Sequence, residues 1–123
     1  MNLEGAVIKL LLTMEDRNEA LDAFSDLRPE YFSKGARTLY TAIVSFYTKY
    51  GTVPSKQQLL THQSRNEAIT NGILAQEHLD VETLEIGFVV EEMKNQYTHL
   101  ETMRMLESFV HKSITMDREE MIE

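Results

Sequence analysis

The sequence predicts an all-α protein: a globular head of short helices followed by a long C-terminal helix or helical hairpin. Two observations predict it. Glycine numbers only 5 and proline 2 in 123 residues, while the strong helix formers Ala, Leu, Met, Glu, Lys and Gln are plentiful. Apolar residues also recur at three-and-four spacing along most of the chain, the period of a helix face. With 42% hydrophobic residues the chain has enough apolar material for one core, and it reads most simply as a single domain.

Taken in order, Leu3, Ala6, Val7, Leu10, Leu11 and Met14 trace one apolar face, so a short helix opens the chain with little polar surface. Asp16 followed by Glu19 predicts a capped start for a second helix, whose buried stripe is Ala20, Ala23, Phe24 and Leu27. Arg28-Pro29 ends it, and Pro29 with Gly35 argues against continuous helix before the middle thirties. The third helix then carries Leu39, Ala42, Ile43, Phe46 and Tyr50 on one face, and Gly51 stands where a left-handed cap closes it. Pro54 cannot continue a helix, and Ser55 with Gln58 has the reciprocal pattern of a capping box that opens a fourth.

Leu59 and Leu60 anchor that fourth helix, which is expected to fade near Ser64-Arg65-Asn66. A weaker amphipathic segment through Ala68, Ile69, Ile73, Leu74 and Leu79 follows, expected to be interrupted at Asn71-Gly72. Asp80, with Glu82 two residues on, is expected to cap the last long helix, and no proline follows it. Ile86, Val90, Met93, Tyr97, Leu100, Met103, Leu106 and Val110 form its seam, with Phe88, Val89, Met105 and Phe109 on a second line beside it. A helix of about 30 residues spans about 45 Å and offers more apolar surface than a small head covers, which points to a partner. Asp117 with Glu120 is expected to cap a further helix over 117–123, a linker towards a motor domain in a longer polypeptide, leaving 1–116 as the helical domain.

The stretch around the third helix carries a resemblance. Glu30, Tyr31, Phe32, Arg37, Leu39, Tyr40, Ile43, Gly51 and Val53 stand in an order that resembles the N-terminal domain of DnaB-type hexameric replicative helicases. The Val53-Pro54-Ser55 corner looks more like the helicases of T-even-type phages, because bacterial members usually have an acid at the position of Pro54. The segment between the fourth helix and the last one looks abbreviated beside the family. The resemblance implies a non-catalytic domain that pairs through helical hairpins, forms a trimer-of-dimers collar on the hexamer, and docks primase and, in some systems, a helicase loader. For that pairing the expected interface residues are Val90, Met93, Tyr97, Leu100, Met103 and Phe109. The rival reading is a free-standing replisome adaptor or inhibitor, or the helicase-binding domain of a primase, which shares this architecture.

Several chemistries find no support in the residues. None of Gly5, Gly35, Gly51, Gly72 and Gly87 belongs to a phosphate-binding loop, so no ATPase centre and no cofactor is expected, and the chain is not expected to be an enzyme. A net charge of −8 with scattered lysines and arginines argues against direct nucleic-acid binding. The aromatic concentration Tyr40, Phe46, Tyr47 and Tyr50 has only Lys49 near it and reads as core plus partner surface rather than a base-stacking platform. His78, Asp80 and Glu82 alternate across an expected helix start, a poor arrangement for a metal. Seven methionines, among them Met93, Met103, Met105 and Met116, fit adaptable packing. No run of about 18 apolar residues spans a bilayer, no secretory signal opens the chain, and the absence of cysteine suits a cytoplasmic protein.

Overall fold

In a computed structural model the described residues are 2–122, with side chains described for 2–112. Six helices follow one another: α1 (Leu3–Thr13), α2 (Arg17–Ser25), α3 (Lys34–Tyr50), α4 (Lys56–His62), α5 (Glu67–Ala75) and α6 (Ile86–Ile122), with a 3-10 turn at Pro29–Tyr31. The C-terminal element is one long helix rather than a hairpin. Two units result, a head of Met1–Met93 and a second unit of Lys94–Glu123.

The helix ends follow local chemistry. The Asn2 side chain accepts from the Gly5 amide, Asp16 accepts from the Asn18 and Glu19 amides, and Ser55 and Gln58 close a reciprocal box. Gly51 takes φ 75° after α3, a left-handed cap that costs a residue with a Cβ about 1 kcal/mol or more. Ser33 opens α3 without capping it by its own hydroxyl. Instead the Glu4 carboxylate accepts from both the Ser33 amide and the Ser33 hydroxyl, so α1 supplies the negative charge that the start of α3 favours.

The expected face of α1 is buried at Leu3, Ala6, Val7, Leu10 and Leu11, and Ile8 and Leu12 are buried with it, because α2 and α3 pack against this helix. Two expectations need correction. α5 runs through Asn71-Gly72 without interruption. A Cβ at Gly72 would stand 3.0 Å from Leu39 Cδ2, so this glycine admits the close approach of α3 rather than breaking the helix. Finally, α6 begins at Ile86 and not at Asp80; the Asp80 carboxylate accepts from the Glu82 amide in a turn, a local bond that competes with helix formation.

The head is held by one apolar core and by side chains that reach helix ends. Ile43, Leu59, Leu11 and Val89 are fully covered, and the first turns of α6, through Ile86, Val89, Val90 and Met93, pack into this core. Lys9 donates to the carbonyls of Glu77 and Leu79 beyond α5. Arg37 donates to the carbonyls of Pro29 and Phe32. Arg17 donates to four carbonyls, those of Leu11, Met14, Val53 and Pro54, and so joins the end of α1 to the corner after α3. Among the described residues no buried side-chain nitrogen or oxygen lacks a partner.

Lys56 at the start of α4 pairs with Glu77 after α5. The hydrogen bond and charge of Lys56 hold the Glu77 carboxyl below the usual carboxylate range. A lowered folded-state value means that the contribution is present above the ordinary carboxylate range and is lost as pH falls through the folded one. Because the pair is solvent-exposed the effect is small, and Lys56→Met is expected to flatten the acid side of the stability profile slightly. Urea midpoints taken between pH 3 and pH 7 check it, and parallel profiles for the two proteins would refute it.

Candidate functional site

The largest concentration of uncovered apolar side chains lies on α6 beyond Met93. Leu100, Met103, Met105, Leu106, Phe109 and Val110 are each between 44% and 71% exposed. At about 100° per residue, Leu100, Met103, Leu106 and Val110 occupy about 120° of the helix circumference, and Phe109 and Met105 widen the arc to about 220°. The opposite arc carries Glu101, Arg104, Ser108, His111 and Lys112. Arg104 and Glu101 pair across it at 2.9 Å. This is an amphipathic helix whose apolar side is uncovered, a pattern that marks interaction surfaces.

The six residues expected at an interface do not share one fate. Val90 and Met93 are 4% and 3% exposed and belong to the head's own core, so they are not available to a partner. Tyr97 is half-buried. Leu100, Met103 and Phe109 are exposed together. Leu106, Val110 and Met105 belong beside them, and the same spacing that identified Leu100 and Met103 marks Leu106 and Val110 as well. Of the second apolar line, Val89 is buried and Phe88 is 55% exposed. The helix passes Met116 and Asp117 without a break, so Asp117 does not begin a new one; side chains from 113 onward lie outside the described residues.

The aromatic residues of α3 are mostly structural. Tyr40 stacks on Phe32 at 4.7 Å and donates its hydroxyl to the Leu27 carbonyl; burial, and secondarily the charge of Glu30, pushes its phenol above the usual range. Tyr47 packs on Phe24. Phe46, Tyr50 and His62 form a cluster in which the Phe46 and Tyr50 rings are tilted and His62 meets both edge-on. Lys49 lies 5.3 Å above the Tyr50 ring.

Among the described residues no three His, Asp or Glu side chains gather into a possible metal site, and Asp80 is taken up by its turn. A cavity of about 210 Å³ between α1, α4 and α5 is bounded by Lys9, Leu12, Lys56, Ile73 and Glu77, with both lysines already bonded. Among the described residues no helix is long and apolar enough to cross a membrane. No family model, curated protein or solved structure matches the chain.

Proposed function

We propose that this chain is a non-catalytic assembly and partner-docking domain of a DnaB-type replicative helicase, working in the cytoplasm. The reading joins the resemblance carried by Glu30 to Val53 with one observation, the uncovered apolar arc of α6 from Leu100 to Val110. Removing apolar surface from water contributes about 25 cal/mol per Å², so a second apolar helix laid on this arc is the simplest way to satisfy it. Copies that associate in this way would favour a closed ring, as dimers within a trimer-of-dimers collar. A primase or loader held on the collar would act at raised effective concentration near the emerging strand. The head's task is then to fix the start of α6, which it does through Ile86, Val89, Val90 and Met93.

Self-association is the expected behaviour of the purified chain. Sedimentation equilibrium should give a weight-average mass that rises with concentration, and Leu106→Asp with Phe109→Asp should return it to the monomer. Both positions are exposed, so the unfolding free energy of the head should stay within about 0.5 kcal/mol of the parent. A parent chain that remains monomeric at high concentration refutes the reading.

A further inference from the structure

The apolar arc of α6 is not purely apolar. His99 lies between the directions of Leu106 and Val110, and Glu107 between those of Met103 and Leu100, while the paired Glu101 and Arg104 lie on the other side of the helix. His99 and Glu107 are both exposed. Any helix that covers Leu100, Met103, Leu106 and Val110 must therefore also meet an imidazole and a carboxylate. Burying these two groups without partners is costly, so their positions constrain what the covering helix carries and how it runs.

From this we infer that the occupant is α6 of a second copy, laid antiparallel and level at Met103, with His99 of each copy against Glu107 of the other. The inference rests on the self-association reading above and adds to it a direction and a register. In an antiparallel pair level at position 103, each residue stands at the height of the one whose number makes the sum 206. Leu100 then meets Leu106, Val110 stands level with Gln96, and Met103 meets its own copy at the two-fold axis. That same register sets His99 level with Glu107, twice by symmetry. One alignment thus matches Leu100 with Leu106, Met103 with itself, and the His99 imidazole with the Glu107 carboxylate. A parallel in-register pair would instead set each Glu107 level with the other Glu107, a like-charge arrangement that disfavours pairing, and leave neither carboxylate with an imidazole. On its own helix His99 has Asn95, Gln96, Thr102 and Met103 one turn away, and Glu107 has Met103, Arg104, Val110 and His111.

The chain has no cysteine, so single thiols can be placed to read the register. Leu100→Cys and Leu106→Cys chains are prepared separately and oxidised alone and as a mixture. In the inferred register, like positions are offset by six residues, about 9 Å along the axis, beyond the ~7 Å Cα separation that a disulfide bridges. The mixture should therefore give a covalent dimer containing one chain of each kind, and neither chain alone should do so. Cross-linking of either variant with itself, or a dimer in which the mixture does not cross-link, overturns the register but leaves self-association standing. A parent chain that is monomeric by sedimentation overturns the reading beneath it.

A charge exchange gives an independent test. His99→Glu should raise the dimer dissociation constant roughly tenfold, since two contacts become repulsive, and adding Glu107→Lys should restore it. An unchanged constant for His99→Glu, or a double variant no tighter than the single one, overturns the His99 to Glu107 contact.

Discussion

Replacing Arg17 by methionine is expected to lower the stability of the head by about 3 kcal/mol, read as a fall in the urea midpoint at constant slope. The guanidinium donates four hydrogen bonds, at 3.0 Å to the Leu11, Met14 and Val53 carbonyls and 2.9 Å to that of Pro54. The first two belong to the end of α1, where the helix leaves carbonyls without partners of its own; the others belong to the corner between α3 and α4. Methionine keeps much of the apolar stem but leaves all four carbonyls to whatever water can reach them. Burial pushes the guanidinium below its ordinary range, which is the desolvation cost that these bonds offset. Lysine is expected to recover only part of the loss, because one ammonium cannot reproduce a planar fork aimed at two elements. A methionine variant with an unchanged midpoint would show that the clamp is dispensable.

Truncating Ile43 to alanine should cost a similar or larger amount, about 2–5 kcal/mol. Ile43 is wholly covered on α3, the helix against which α1, α4 and α5 pack. The substitution removes three carbons from a site whose neighbours belong to different helices, so no single side chain closes the space and a cavity remains. Set against the ~5–15 kcal/mol that keeps an ordinary domain folded, that loss is large, and thermal unfolding should show a clear drop in midpoint. The matching control is Met105→Ala on α6, where the side chain is 71% exposed. Its cost to folding should stay within about 0.5 kcal/mol, with the effect appearing in association instead. Equal losses at the two positions would refute the contrast between a covered and an exposed site.

The caps at Asp16, Gly51 and Ser55 were legible in the chain because each is a bond or a backbone angle within a few residues. The existence of the long last helix was legible for the same reason, from its spacing and the lack of proline. Gly72 misled because its role depends on Leu39, which is 33 positions away in sequence and opposite it in space. Asp80 misled because the same side-chain bond that caps a helix also closes a turn, and the bond itself does not separate the two.

The interface residues divide along the same line. Val90, Met93, Leu100 and Met103 follow one another in a single unbroken seam, and nothing in their spacing separates the first two from the last two. Local propensity and period were enough to establish helices, their capped ends and an apolar stripe along α6. Which part of that stripe the head covers was decided by the packing of α1 to α5, because burial belongs to the neighbours that surround a side chain and not to the side chain itself.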